Sequence, residues 1–270
     1  MSQINLIADT ITLSSHVVDN IRYQNYSDAG IGRKQILNKL TELFELLPAD
    51  IIDQLKNILV EMMNAQERND EVLFADVLEL ELVPFLSEYQ LCLLKDNEVS
   101  ADKKIYNNNI SLLKVCNNEL AIIVENCMDW NNNIVIEYSS SGYLTMKLIT
   151  DEGELYFHSN GNPVIEGKIL AKEYYDIDID EYIVYGIGLG YHVNALLDID
   201  DGVDIEIIEP RLDVICAAMR YMDMKSILMN ERVRIIYDPD YTMMGSVIND
   251  RKKLLIHYPT LKSVKDAKIR

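Results

Sequence analysis

Gly186, Gly188 and Gly190, followed by Tyr191 and His192, form the stretch of this sequence best suited to hold a ligand. They follow the β-branched and aromatic run Tyr182–Tyr185, so a buried strand is expected to feed a tight turn and then a short helix over His192–Leu197. Glycines let the main chain approach a ligand closely, and N–H groups at a helix start attract phosphate or carboxylate. A second apolar run, Val203–Ile208, ends in Glu209 and Pro210, and an acid at that place can hold two ribose hydroxyls. Asp238, after Val233–Tyr237, and His257, after Leu254–Ile256, occupy comparable strand ends. The candidate cofactor-binding set is therefore Gly186, Gly188, Gly190, Tyr191, His192, Glu209, Asp238 and His257.

Each member has a structural alternative. The glycines could serve only tight strand-to-helix packing, Glu209 and Asp238 could cap the next loop or helix, and Tyr191 and His192 could pack against the sheet. His257 has no visible partner that would make it a base. No nucleophile–base pair is apparent, so no catalytic residue is assigned. A nicotinamide fingerprint would place a glycine where Tyr191 stands, so the Gly-x-Gly-x-Gly spacing looks more like that of S-adenosylmethionine methyltransferases. The acid that those enzymes carry two positions before the first glycine is Val184 here, and the later His257-Tyr258-Pro259-Thr260 departs from the methyltransferase loop pattern. The ligand class expected is a nucleotide or an S-adenosylmethionine-type molecule.

No metal site is expected. Cys92, Cys116, Cys127 and Cys216 lack Cys-x-x-Cys spacing, three of them sit among apolar residues, and core thiols are the expectation. His16, His158, His192 and His257 form no helical metal pair. A net charge of −19 opposes nucleic acid or an anionic membrane as partner, because phosphate binding requires a basic face. The basic residues Arg251, Lys252, Lys253, Lys262, Lys265, Lys268 and Arg270 form a local exception and are expected to be a solvated strand flank and a frayed tail. No apolar run is long enough to span a bilayer and the first residues do not resemble a signal peptide, so a cytoplasmic location is expected.

The elements that must position these residues follow from periodicity. Up to about Lys95 the pattern is helical, with a first helix near Thr10–Tyr23, a stripe from Ile36 to Leu47 stopped by Pro48, and another from Ile51 to Met63 for which Asp50 is a candidate N-cap. A further helix through Leu73, Val77 and Leu80 is expected to kink or divide at Pro84. After a polar linker at Asp96–Lys104, the positions Leu113–Cys127 predict one helix closed by Trp130 and three asparagines. Two-residue alternation then marks an antiparallel meander through Ile134–Ile136, Leu144–Leu148 and Leu155–Phe157, followed by a helix over Val164–Tyr175. Helices are expected at Asp213–Met222 and Thr242–Asn249, between parallel strands.

The fold expected is α/β: an N-terminal helical bundle over residues 1–96, a helix plus meander over 105–180, and a half-size Rossmann-like, methyltransferase-like parallel sheet over 181–270. Strand order 3-2-1-4 follows by analogy with doubly wound sheets, and it gathers Gly188, Glu209, Asp238 and His257 at the strand ends. The fourth strand would lie at an edge, where another copy of the chain or a further domain could pair with it.

Several motifs together resemble the N-terminal Rossmann-like region of the motility accessory factor family. They are Asn109-Ile110-Ser111-Leu112-Leu113, then Tyr156-Phe157-His158-Ser159 with Asn162-Pro163 and Glu166, then Tyr185-Gly186-Ile187-Gly188-Leu189-Gly190-Tyr191-His192, then Ile208-Glu209-Pro210 and Ile256-His257-Tyr258-Pro259. The resemblance covers roughly residues 105–262. Its members are bacterial proteins implicated in glycosylating flagellin with nonulosonic acids, so the resemblance implies a nucleotide-sugar and a flagellin acceptor as partners. In the family, transfer belongs to a following domain with a Gly-Pro-Ser-type loop, which no stretch here matches; a piece of a longer protein and a short relative are both left open.

The leading expectation is a module of a glycosyltransferase-like protein that is not catalytic by itself. The alternatives are an S-adenosylmethionine-dependent methyltransferase and a structural or interaction scaffold whose glycine crevice binds nothing.

Overall fold

The computed structural model describes residues 3–96, 99–127, 133–200, 202–240 and 252–268. The chain divides into two compact units: residues 1–98 with Ser141–Tyr143, and residues 99–140 with 144–270. Among the described residues, no helix is long and apolar enough to cross a membrane.

The first unit is helical: α1 (Gln3–Arg22), α2 (Tyr26–Phe44), α3 (Ala49–Glu67), α4 (Glu71–Val77) and α5 (Val83–Asp96). The three- and four-residue spacing puts Ile36, Leu40 and Leu43 of α2 on one face, where they join Leu6, Ile7, Leu55, Leu78, Leu82 and Leu86 in a single apolar core. Pro84 neither kinks nor ends its helix outright. It follows a π-helical turn, Leu78–Leu82, because a proline has no N–H to donate and its ring crowds the carbonyl four residues back, here that of Leu80. Asp50 is not the cap of α3; Pro48 holds that position with extended backbone, and Asp50 lies in the first turn, where its charge favours the helix dipole. Asp70 does cap α4, accepting the Leu73 N–H at 2.9 Å.

The second unit opens with α6 (Lys103–Cys116) and α7 (Asn118–Asn126). The single helix expected over 113–127 is thus two, because Asn117 leaves helical geometry, caps α7 through the Leu120 N–H at 3.1 Å, and donates its amide to Ile235 O. The expected closure at Trp130 falls outside the described residues. β1 (Ile134–Tyr138), β2 (Leu144–Thr150) and β3 (Gly153–Tyr156) form the antiparallel meander in sequential order. α8 (Pro163–Tyr174) starts with proline at its first position and Asn162 accepting the Val164 and Ile165 N–H groups.

A parallel sheet follows, made of β4 (Glu181–Tyr185), β5 (Asp204–Glu209), β6 (Val233–Tyr237) and β7 (Lys252–Ile256) in the order β6-β5-β4-β7, which is the expected 3-2-1-4. α9 (Tyr191–Ile199), α10 (Leu212–Tyr221) and the short α11 (Lys225–Leu228) connect the first three strands. The helix expected at Thr242–Asn249 lies outside the described residues. The meander and the parallel sheet share one core, with Met146, Leu148 and Phe157 clustered with Tyr182, Val184, Leu196 and Ile207.

Two expectations are corrected here. The chain beyond β7 is not a frayed tail: α12 (Tyr258–Lys268) begins directly after His257, and Thr260 and Ser263 are buried in it. Of the cysteines only Cys216 is buried; Cys92 and Cys116 are exposed and Cys127 is half-buried, because apolar sequence neighbours on a helix do not share its inward face.

Candidate functional site

The candidate site lies at the carboxyl ends of the parallel strands. The glycine turn between β4 and α9 is held by the protein's own groups. Gly186 N–H donates to Ile208 O at 2.9 Å, Ile187 N–H to Glu209 Oε2 at 2.9 Å, Leu189 N–H to His158 Nε2 at 2.7 Å, and Gly190 N–H to Ile187 O at 2.8 Å. Gly188 has φ +50°, and a Cβ placed on it would lie 2.4 Å from His158 Nε2. The same addition at Gly186, φ +100°, would lie 2.3 Å from Thr260 Oγ1. Both positions require glycine twice over, by backbone conformation and by close approach. The close approach is to side chains of this chain.

Glu209 is fully buried at the end of β5, with Oε1 accepting the Arg211 N–H at 3.0 Å as Oε2 accepts that of Ile187. Burial pushes its carboxyl up to about 8, against the lowering effect of those two donors. Asp238 is buried just past β6, and its N–H donates to Glu209 O at 3.1 Å. Tyr191 is half-buried; its hydroxyl donates to Leu144 O at 2.7 Å and its ring meets that of His158 edge-on at 5.2 Å. Gly186, Gly188, His192, Glu209 and His257 therefore come together with Asp238 beside them, while Tyr191 is turned toward the meander.

The sequence reading missed the third histidine of this site. His158 follows β3, His192 lies in the first turn of α9 and His257 follows β7, and all three are buried. The rings of His192 and His257 stack at 4.8 Å with 6° between planes, and His158 lies 5.1 Å from His257 and 6.2 Å from His192. Gly167 in α8 permits this closeness, since a Cβ there would lie 2.8 Å from the Tyr191 carbonyl carbon, so α8 presses directly on the start of α9. Glu166 of α8 puts Oε2 3.7 Å from His158 Nδ1 while accepting the Ser159 N–H at 2.8 Å. His192 Nε2 is 2.9 Å from Gly186 O, and His257 Nδ1 is 2.9 Å from Thr260 Oγ1.

Burial lowers all three imidazoles below their ordinary 6.5, His192 to about 4, so at neutral pH each is uncharged. Hydrogen bonds assign the tautomers. The Leu189 N–H occupies His158 Nε2, which puts that ring's proton on Nδ1 facing Glu166, and the Gly186 carbonyl puts the His192 proton on Nε2. His192 Nδ1 is then a buried lone pair, and it has no hydrogen-bond partner. The signal for His158 and Glu166 was present in the sequence only as part of the family-like stretch Tyr156–Glu166; Thr260 carried none.

Residues 166–237 match a family model described as the glycosyltransferase Maf N-terminal domain, and residues 8–91 match one described as a domain of unknown function, DUF8042. No curated protein sequence matches the chain. A solved structure of a Maf glycosyltransferase from Magnetospirillum magneticum AMB-1 aligns with 60% of this chain and 34% of its own, at 14% identity and a TM-score of 0.44. The chain thus spans about a third of that protein's length. The resemblance to the motility accessory factor family drawn from the glycine run and Glu209-Pro210 is borne out over the matched segment.

Proposed function

With residues 166–237 similar to the Maf N-terminal domain, we propose that this chain is the Rossmann-like module of a motility accessory factor-like glycosyltransferase and is not catalytic by itself. In this reading, the nucleotide-sugar and the flagellin acceptor are partners of the whole glycosyltransferase. The observation that carries it is the internal use of the glycine turn. A phosphate perch works by presenting free N–H groups, whereas the N–H groups of Ile187 and Leu189 are bonded to Glu209 and His158. The acid in the ribose-binding place is equally committed, since both oxygens of Glu209 accept backbone N–H groups. The module's task is then to support an adjoining partner or domain rather than to perform transfer.

The test is a thermal-shift screen of the chain against cytidine mono- and diphosphate, S-adenosylmethionine, S-adenosylhomocysteine and NAD. A ligand at a hundred times its Kd adds about 2.7 kcal/mol, a shift that is easily read. We expect none of the five to raise Tm. A rise with an adenosyl ligand that Glu209→Ala removes would overturn this reading in favour of a methyltransferase-type cofactor site; a rise with a cytidine nucleotide would make the module a nucleotide sensor.

A further inference from the structure

The three buried histidines have a feature that packing alone does not explain. Side chains in a core normally pair their polar atoms, and an unpaired one costs stability. His192 Nδ1 is nonetheless left as a lone pair within the cluster. One nitrogen from each of His158, His192 and His257 lies within 4.8 Å of those of the other two.

We propose that His158, His192 and His257 bind a divalent transition metal, Zn²⁺ in the first place, through three neutral imidazole nitrogens. The inference is independent of the glycosyltransferase reading. Neutral imidazole is the form that coordinates, and burial keeps all three rings in it. The outer atoms match what a histidine site requires. Ligating histidines usually hold their second nitrogen on a carboxylate, a carbonyl or another polar group, which fixes ring orientation. Here Glu166 faces His158 Nδ1, the Gly186 carbonyl faces His192 Nε2, and the Thr260 hydroxyl faces His257 Nδ1. That leaves His158 Nε2, His192 Nδ1 and His257 Nε2 as the donor set.

Coordination has two structural costs. His158 Nε2 must release the Leu189 N–H, and His257 Nε2 must turn from the Phe157 carbonyl that also bonds this ring. Zn–N bonds of 2.0–2.1 Å in a tetrahedron place the nitrogens about 3.3 Å apart, so the rings must close by roughly 1 Å. An all-imidazole set with no thiolate suits Zn²⁺, Co²⁺, Ni²⁺ or Cu²⁺ and not the hard cations Mg²⁺ or Ca²⁺. Bound there, the ion would clasp the loop after β3, the start of α9 and the loop after β7, the three segments that enclose the glycine turn.

The experiment uses the full chain stripped with a chelator and dialysed. Zn²⁺ titration is expected to show one ion per chain and a Tm raised by about 5–10 °C at a hundred times Kd. His192→Ala and His257→Ala should abolish both effects, whereas His16→Ala, on exposed α1 surface, should leave them intact. Co²⁺ added to the unaltered chain should give visible d–d bands without a thiolate charge-transfer band. That spectrum decides the matter if the cluster variants fail to fold. No stoichiometric Zn²⁺ uptake, unchanged Zn²⁺ uptake by the folded histidine variants, or a thiolate band pointing to cysteine ligands would each overturn the proposal.

Discussion

The two units of this chain solve the problem of a core in opposite ways. In the helical unit the interior is almost wholly aliphatic, its few buried polar residues being small or local, as with Thr10, whose hydroxyl returns to Leu6 O within its own helix. In the second unit His158, His192, Glu209, Asp238, His257 and Thr260 are buried together around one turn. Desolvating such groups costs free energy that only a matched set of partners offsets. An aliphatic core needs volume and little else; the polar cluster needs particular atoms at particular distances. The second unit is therefore where a function-bearing constraint is concentrated.

The largest effect should come from the aliphatic side of this contrast. Leu78→Ala, at a fully buried position of the helical core, should cost about 2–5 kcal/mol in urea unfolding. A loss under about 1 kcal/mol would mean that this core is looser than its burial implies. Gly188→Ala should come next at about 2–4 kcal/mol, adding a left-handed conformation to a clash with His158. If alanine is accepted there without loss, the turn is not locked against His158 as described.

Glu209→Gln tests how the polar cluster is charged. At pH 5 it should cost about 1–3 kcal/mol, since an amide cannot accept two N–H groups through both of its arms. The wild-type carboxyl is raised from the ordinary 4.5 to about 8. Its proton is therefore kept in the folded state after the unfolded chain has lost its own, and folding weakens with rising pH across that interval. The wild-type advantage over Gln should be fullest below about pH 4.5, shrink between there and about pH 8, and then level off. An advantage that grows with pH, measured by paired denaturation curves, would show that Glu209 is ionised throughout.

The smallest effect has the opposite sign. Gly30 lies in α2, and a Cβ there would meet nothing within 4 Å, so Gly30→Ala should stabilise the protein by about 0.5–1 kcal/mol. Two glycine-to-alanine changes that differ in sign between the units would sharpen the comparison; equal signs would break it.

What was legible in the sequence was what neighbouring residues decide. The stripe Ile36–Leu40–Leu43 specifies a helix face, alternation through Leu144–Leu148 specifies a strand, and strand, glycines and helix in succession specify a parallel crossover whose handedness constrains the strand order. Local reading failed where a distant group intervened. Asn117 breaks a helix because the Ile235 carbonyl accepts its amide, and Pro84 is absorbed by a π-helical turn rather than a kink. The site divided along the same line. Gly188, Glu209 and His257 could be assigned to strand ends from the pattern, but nothing in the spacing of His158, His192 and His257 brings them together. Their meeting depends on α8 pressing against α9 at Gly167 and on the meander packing onto the parallel sheet, contacts between segments far apart in the chain. Periodicity determines which way a side chain faces; only the tertiary packing decides which side chains it meets.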